Sequence, residues 1–206
     1  MFGFLNLDKP AGPTSHDIVA GVRRALPRKT KVGHAGTLDP FARGVLVICV
    51  GPATRLADRV QKSPKRYRTT FVLGARSSTD DPEGEIQESL DATPPDETAV
   101  KATLSRFVGR IDQTPPAHSA VHVDGRRAYK LARRGVAPDL PPRPVTIHAV
   151  DLLRYDWPEL ELDVRCGSGT YVRALARDIG ESLGVGGYCK ALVRTAVGGF
   201  SLEAAV

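Results

Sequence analysis

The thirteen residues from Val32 to Gly44 read VGHAGTLDPFARG and contain one carboxylate, Asp39, between two apolar segments. The glycines allow tight turns and let a ligand approach the backbone, and Pro40 keeps Asp39 out of the helical region of backbone conformations. An Asp-Pro pair is typical of an Asx-type turn, which needs no function. The same carboxylate can act as a nucleophile or a base if it stays ionised in a partly dry pocket, and for that it needs a cation.

The best candidate for that cation is Arg173, at the end of the segment CGSGTYVR that begins at Cys166. The pattern predicts a strand that ends in a glycine turn, followed by a helix whose first turn contains Tyr171 and Arg173. The planar guanidinium group of arginine can bind a carboxylate with two hydrogen bonds. An ordinary surface arginine on a helix would explain the same segment.

A possible base-stacking site lies at Lys65-Arg66-Tyr67, where an aromatic side chain stands among cations. Such an arrangement can stack on a nucleobase beside its phosphates. A tyrosine at the start of a strand is also a common packing residue, so this tripeptide alone is a weak signal.

Other catalytic motifs are not supported. Ser168 is not in a nucleophile elbow, because the residue two positions before it is Cys166 instead of glycine. His118 and His122 have the i, i+4 spacing of metal ligands, but no third ligand stands out. Neither a P-loop nor a dinucleotide fingerprint follows a strand. We therefore expect no metal and no cofactor.

The charges are segregated along the chain. Lysine and arginine number 29 against 23 acidic residues, a net charge of +6, whereas the stretch Thr79 to Ala99 has eight acids and no basic residue. This pattern predicts one basic surface for a polyanion such as nucleic acid and one acidic surface loop. The basic clusters are Arg23-Arg24, Arg28 to Lys31, Lys62 to Arg68, Arg126-Arg127 and Arg133-Arg134.

The three cysteines, Cys49, Cys166 and Cys189, are widely spaced and form no CxxC motif. This spacing fits a reducing, cytoplasmic location rather than a disulfide framework or a zinc site. The N-terminus lacks the pattern of a secretory signal, and no apolar run approaches eighteen residues, so we expect no membrane span.

Strand and helix patterns alternate irregularly, with hairpin-like pairs late in the chain, which favours an α+β fold with a mixed, largely antiparallel sheet flanked by helices. Asp124-Gly125 predicts a tight turn before a short basic helix, and the stretch from Thr79 to Glu97 reads as a loop. The predicted strands are Gly3 to Leu7, Val45 to Val50, Arg66 to Leu73, Thr146 to Leu153, Leu160 to Cys166 and Ala191 to Val197. The predicted helices are His16 to Leu26, Glu97 to Val108 and Tyr171 to Leu183.

Several segments together resemble the TruB-type tRNA pseudouridine synthases, which isomerise a uridine in the T loop of tRNA, at position 55, to pseudouridine. The resemblance runs from about Gly3 to Val197 in the order of the family, and the loop GHAGTLDP is its most specific part. The matching segments are Leu7 to Ser15, Gly33 to Pro40, Gly44 to Leu46, Lys65 to Tyr67, Gly169 to Arg173 and Leu192 to Arg194.

The resemblance implies roles for individual residues. Asp39 is implied as the nucleophile, at the ribose C1′ or the base C6, and Arg173 as its ion-pair partner. Tyr67 is implied to stack on the flipped uracil and to serve the later proton transfer from C5. The pocket lining is implied to include Tyr171 and Leu192, and His34 to fill the space that the flipped uridine leaves. An isomerisation of this kind needs no metal and no cofactor, which accounts for a lone carboxylate.

The resemblance also implies how the chain grips RNA. We expect one catalytic domain over residues 1–206, with a basic RNA-gripping insertion at 118–143 that could instead be a plain solvated helix face. Because the family usually continues into a C-terminal PUA domain and this sequence stops at Val206, we expect a short form without it. The predicted backbone contacts are Lys65, Arg66, Arg126, Arg127, Lys130, Arg133 and Arg134.

The expected partner is the T stem-loop of tRNA. We expect the protein to act as a monomer and not to bind a membrane. Two alternatives stay open. A guide-dependent synthase acting on another RNA would share these motifs, and an RNA-binding or RNA-folding protein could retain them without depending on catalysis.

Overall fold

The structure is a computed structural model that describes residues 2–89, 91–119, 121–123, 126–128 and 140–206. The helices are α1 (Ser15–Arg24), α2 (Ala57–Gln61), α3 (Glu97–Arg106) and α4 (Val172–Ser182), with 3₁₀ turns at Gly51–Leu56 and Leu202–Ala204. The strands are β1 (Gly3–Lys9), β2 (Val32–His34), β3 (Arg43–Val50), β4 (Lys65–Leu73), β5 (Ala75–Ser77), β6 (Ile86–Glu88), β7 (Gly109–Gln113), β8 (His122–Val123), β9 (Arg126–Arg127), β10 (Arg143–Asp156), β11 (Glu159–Cys166), β12 (Gly187–Val197) and β13 (Phe200–Ser201).

A nine-stranded sheet organises the fold in the order β1-β3-β12-β4-β11-β10-β7, with β2 paired to β3 and β13 to β12. The β1/β3, β2/β3 and β7/β10 pairs are antiparallel, whereas β3 and β12 run parallel. Two short hairpins, β5/β6 and β8/β9, lie outside this sheet. The predicted α+β class with a mixed, largely antiparallel sheet is confirmed.

The chain divides into two compact units. Unit 1 contains Met1–Thr69, Val164–Ser168 and Ala191–Val206, and unit 2 contains Thr70–Asp163 and Gly169–Lys190. The chain passes from one unit to the other four times: within β4, within β11, between β11 and α4, and within β12.

Unit 1 is built around β3. Both faces of this strand carry apolar side chains, and each face packs in its own apolar cluster. Val45, Val47 and Cys49 belong to one cluster, whereas Leu46 and Ile48 belong to the cluster that α1 covers. This burial explains why β3 lacks the apolar-polar alternation of a half-exposed strand. The α1 helix begins with a capping box, in which the Thr14 and Asp17 side chains each bind the backbone N–H of the other residue.

Unit 2 has its own core, in which α4 contributes a broad apolar face. Leu175 and Ile179 of that helix are fully buried, as are Phe71, Ile147 and Leu162 on strands. The α3 helix begins at Asp96, whose carboxylate accepts a hydrogen bond from the Ala99 N–H group at 2.7 Å. Among the described residues, no helix is long and apolar enough to cross a membrane.

The sequence located the long elements within two to four residues but missed several short elements. The omissions are β2, β7, β13, the short helix α2 and the hairpins β5/β6 and β8/β9, and the predicted basic helix is wrong at Arg126–Arg127, which form β9. The prediction of an acidic surface loop does not hold at Asp81, which is 3% exposed and forms an ion pair within unit 2. The predicted turn at Asp124-Gly125 lies outside the described residues, as does most of the basic helix predicted to follow it.

Candidate active site

The loop that carries Asp39 joins β2 to β3 in unit 1. Asp39 is half-buried, and its backbone oxygen accepts a hydrogen bond from the Ala42 N–H group at 3.2 Å. Gly36 has φ +118°, a left-handed conformation that side-chain-bearing residues seldom adopt. The loop therefore turns sharply on each side of the carboxylate.

Two buried polar side chains hold this loop from the N-terminal part of the chain. Ser15 donates to the Leu38 carbonyl oxygen at 3.0 Å and accepts from the Leu38 N–H group at 2.9 Å. Lys9 is fully buried, and its ammonium group donates to the carbonyl oxygens of Pro10, Pro13 and Pro40 at 2.8, 2.9 and 3.3 Å. The backbone is thus fixed immediately before and after Asp39.

A third buried side chain, Arg194 on β12, holds the same loop from the other end of the chain. It is 2% exposed and donates to the carbonyl oxygens of Gly36 at 3.2 Å, Thr37 at 3.0 Å and Val45 at 2.7 Å. A charged donor makes stronger hydrogen bonds than a neutral one, and a guanidinium group can reach several carbonyls at once. Arg194 therefore holds the backbone of the loop residues that precede Asp39, whereas Ser15 and Lys9 hold the backbone directly on either side of it.

Gly44 makes this arrangement possible. It pairs with Arg194 in the parallel β3/β12 contact and has φ +105°. A Cβ atom at this position would lie 2.3 Å from the Arg194 carbonyl oxygen, well inside van der Waals contact. Any other residue would push β12, and with it the Arg194 side chain, away from the loop.

Tyr67 on β4 lies in the same unit and is 8% exposed. Burial raises the pKa of its phenol, and the neighbouring Asp39 charge acts in the same direction, while the charge of Arg194 and a hydrogen bond from it oppose the rise. The phenol is therefore neutral at physiological pH. Asp39, Tyr67 and Arg194 interact electrostatically within one unit.

His34 lies at the end of β2, five residues before Asp39, and is half-buried. Burial lowers its pKa, and the nearby His16 and Arg194 lower it further. The rings of His16 and His34 meet edge to face, with centroids 6.1 Å apart. His34 is therefore a neutral ring at physiological pH.

The remaining predicted residues of unit 1 differ in exposure. Leu192 is buried at 5% exposure. Lys65 is buried as well, and its ammonium group donates to the carbonyl oxygens of Gln61 and Ser63. This geometry does not support a contact between Lys65 and the RNA backbone, whereas Arg66 is exposed.

Arg173 and Tyr171 belong to unit 2. Arg173 is 4% exposed, and its guanidinium group binds the Asp81 carboxylate at 2.9 Å and the carbonyl oxygens of Thr79 and His118 at 3.0 and 3.2 Å. Tyr171 precedes α4, and its ring packs against the cluster of Val121, Ala128 and Leu140. The pairing of Arg173 with Asp39 stays a prediction.

The predicted RNA-gripping insertion is described only in part. Arg126 and Arg127 form β9, which pairs with β8, and their side chains lie outside the described part of the structure. Lys130, Arg133 and Arg134 lie outside the described residues altogether. Among the residues that are described, no group of three or more His, Cys, Asp or Glu side chains could hold a metal ion.

Sequence reasoning gave no role to four residues that the structure shows to be central. Lys9, Ser15 and Arg194 lie within the matched segments, where the sequence predicts no role for them, and Asp81 falls in the predicted acidic surface loop. The signal for Asp81 was the adjacent acid pair followed by Pro82 and Gly84, which departs from a uniformly charged loop. For Arg194 it was an arginine inside an otherwise apolar strand pattern, a position that costs free energy unless its donors are bound.

Comparison with known proteins identifies the family. Residues 23–172 match the model of the TruB family pseudouridylate synthase N-terminal domain. The chain belongs to the TruB family. Two relatives, both named tRNA pseudouridine synthase B, are those of Trichormus variabilis, 49% identical over 205 residues, and Microcystis aeruginosa, 50% identical over 208 residues. Each match covers 98% of this chain and 69% of the relative.

A solved structure extends the family assignment to the fold. The chain matches one chain in the crystal structure of a Cbf5–Nop10–Gar1 complex with a TM-score of 0.74 and 31% identity. The match covers 97% of this chain and 50% of that chain, so this chain spans half its length. As a member of the TruB family, the chain is a pseudouridylate synthase, an isomerase.

Proposed function

We propose that the chain converts uridine to pseudouridine in the T loop of tRNA, at position 55, with Asp39 as the nucleophile. The observation that carries this proposal is the loop around Asp39, which Lys9, Ser15 and Arg194 hold at four backbone positions. A nucleophile held in this way needs little reorganisation during the reaction. The names of the related synthases support tRNA as the substrate.

The target uridine is stacked within folded RNA, so it must be extruded before Asp39 can reach it. His34 lies on the same loop segment as Asp39 and is neutral and flat, so it can occupy the space that the base leaves. Tyr67 offers an aromatic face on which the flipped uracil can stack, which offsets part of the lost base stacking. Leu192 and, in unit 2, Tyr171 are proposed to line the pocket.

The chemical steps need no net oxidation, reduction or hydrolysis. The Asp39 carboxylate attacks at C1′ or C6, and the bond between N1 and C1′ breaks. The uracil rotates, C5 forms the new bond to C1′, Asp39 is released, and the proton on C5 is lost while N1 gains one. Because the Tyr67 phenol is neutral, it can accept the C5 proton only by passing on its own, so its proposed role is that of a relay.

Arg173 is proposed to keep Asp39 ionised, as the resemblance implies, and Arg66, Arg126, Arg127, Lys130, Arg133 and Arg134 to contact the RNA backbone. We further propose one catalytic domain over residues 1–206, acting as a monomer in the cytoplasm. The three cysteines are buried, and none forms a disulfide within the part of the chain that the structure describes, which fits a reducing compartment.

A guide-dependent synthase is the second candidate, because the chain is similar in structure to one chain of a Cbf5–Nop10–Gar1 complex. The two candidates differ in their need for partners. A stand-alone enzyme acts on a bare tRNA transcript, whereas a guide-dependent enzyme requires a guide RNA and partner proteins.

The test uses a tRNA transcript with uridine tritiated at C5 and measures the label released by the wild-type chain, Asp39→Asn and Asp8→Asn. Asp8 is an exposed aspartate of the same unit and serves as the matched control. We expect release from the T loop by the wild type and Asp8→Asn, none by Asp39→Asn, and equal tRNA binding by all three. Turnover by Asp39→Asn, or release that maps outside the T loop, would contradict the proposal.

A further inference from the structure

Unit 1 has a second polar feature, a cavity of about 430 Å³ beside β2. Arg28, Lys29 and Lys31 line it from the turn that precedes β2, and Arg55 lines it from the 3₁₀ turn that follows β3. The described lining contains four cations and no carboxylate. We call this cavity the basic pocket.

The backbone holds the two walls of the basic pocket together. The Gly51 N–H group donates to the Lys31 carbonyl oxygen at 2.7 Å, and Lys29 adopts a left-handed conformation with φ +71°. The hydroxyl groups of Thr30 and Thr54 donate to the carbonyl oxygens of Pro27 and Gly51 at 2.7 and 2.8 Å. The hydroxyl donors are thus already used within the protein, and the side-chain charges are the main binding groups that the pocket offers.

These four charges differ from other exposed cations of the chain. Lys62, Lys101 and Lys190 each form an ion pair with a carboxylate, at 2.7, 2.6 and 2.5 Å. By contrast, none of the four pocket cations takes part in an ion pair among the residues that the structure describes. Like charges that converge without a carboxylate repel one another and attract a polyanion.

We infer that the basic pocket binds phosphate groups of the substrate RNA near the target uridine. The inference rests on the proposed function, because it takes the substrate to be RNA whose target base leaves its stack beside His34. The strand β2 leads directly from Lys31 to His34, a span of about 10 Å at the rise of an extended strand. A backbone segment next to the vacated position is therefore within reach of the pocket.

The experiment compares two double variants that each remove two positive charges. Lys29→Gln/Arg55→Gln changes one cation on each wall of the pocket, and Arg106→Gln/Arg110→Gln changes two exposed arginines of unit 2. Binding of an unmodified tRNA transcript is measured by filter retention over a range of salt concentrations, and turnover is measured by tritium release at saturating and limiting tRNA.

If each pocket cation neutralises one phosphate, the slope of log K against log salt falls by about 1.4 to 1.8, and affinity at 0.1 M salt falls about 25- to 60-fold. We expect that loss for the pocket variant, with a raised KM and an unchanged kcat. The control variant should retain the wild-type slope. Replacing single phosphates by neutral linkages then identifies the contacted positions, because those linkages weaken binding to the wild type but not to the pocket variant.

Three results would overturn the inference. Equal losses in both double variants would show an effect of net charge alone, and an unchanged slope in the pocket variant would show no phosphate contact. If inorganic phosphate raised the melting temperature by binding in the pocket, while the pocket substitutions left the slope of log K for tRNA against log salt unchanged, the pocket would be a site for a free anion. Failure of the proposed function is read separately, since it appears as absent tritium release by the wild type and leaves the binding slopes measurable.

Discussion

Replacement of Arg194 by lysine tests whether this buried arginine positions the loop that carries Asp39. The guanidinium group binds three carbonyl oxygens, at 2.7 to 3.2 Å, and the phenol of Tyr67. Lysine has the same charge but offers its donors from one nitrogen atom, so it cannot span carbonyl groups on both the loop and β3. We expect the lysine variant to keep one of the three hydrogen bonds to carbonyl oxygens.

The size of the effect follows from the two hydrogen bonds that lysine cannot make. A hydrogen bond from a charged donor contributes about 1.5 to 3 kcal/mol, so the absence of two lowers the free energy of unfolding by about 3 to 6 kcal/mol. Because domains are typically stable by about 5 to 15 kcal/mol, Arg194→Lys should still fold. A shift of about 1 Å in a reacting group can lower the rate about a hundredfold, so turnover should fall by about that factor even where the variant is fully folded.

The assay combines urea unfolding with tritium release from tRNA. The matched control is Arg110→Lys, an exposed arginine on β7 in unit 2. We expect a lower urea midpoint and lower kcat for Arg194→Lys, with tRNA binding unchanged, and no change in the control. A wild-type midpoint together with wild-type turnover in Arg194→Lys would refute the reasoning, because the three hydrogen bonds to carbonyl oxygens would then contribute nothing.

Three further predictions concern single groups. Asp81→Asn removes the carboxylate that Arg173 binds at 2.9 Å, so urea unfolding should show a loss of about 3 kcal/mol, and an unchanged midpoint would contradict it. Arg173→Lys keeps the charge but loses the planar fork, so kcat should fall along with the melting temperature; normal turnover would rule out its pairing with Asp39. Because the pKa of His34 is lowered in the folded state, its contribution to stability is present above its ordinary pKa of 6.5 and is lost as pH falls through the folded-state pKa. Wild type should therefore lose more stability than His34→Gln between about pH 7.5 and 5, and equal losses would show that His34 titrates normally.

The elements that the sequence predicted well are those whose side chains repeat a regular pattern. The helix face of α1 and the apolar run of β3 are local signals, and both elements lie close to the predicted positions. The strand β2 has only three residues, two of them glycine and histidine, so it has no pattern of its own. It is a strand because β3 offers it a partner, and that is a tertiary effect.

The candidate site was predictable in its residue types but not in its supports. The residue patterns around Asp39 and Tyr67 single them out as candidates, and the resemblance to a family implies their roles. The roles of Lys9 and Arg194 depend on hydrogen bonds to backbone oxygens, which any residue supplies, so no sequence pattern shows which atoms they bind. The ion pair of Asp81 could not be predicted from the number of acids in its segment, because an exposed acid and an ion-paired acid contribute equally to that number.

The position of Asp39 is consequently a property of the completed fold rather than of the loop sequence. Arg194 reaches the Gly36 and Thr37 carbonyls only after β12 has paired with β3, through partners about 150 residues apart in the chain. Contacts so distant in sequence form slowly, because the entropy of closing a long loop must be offset first. A match to residues 33–40 alone therefore cannot distinguish an active synthase from an inactive copy. Arg194 and Gly44 add to that match, since without them the proposed nucleophile would be present but its loop would lack the hydrogen bonds at Gly36 and Thr37.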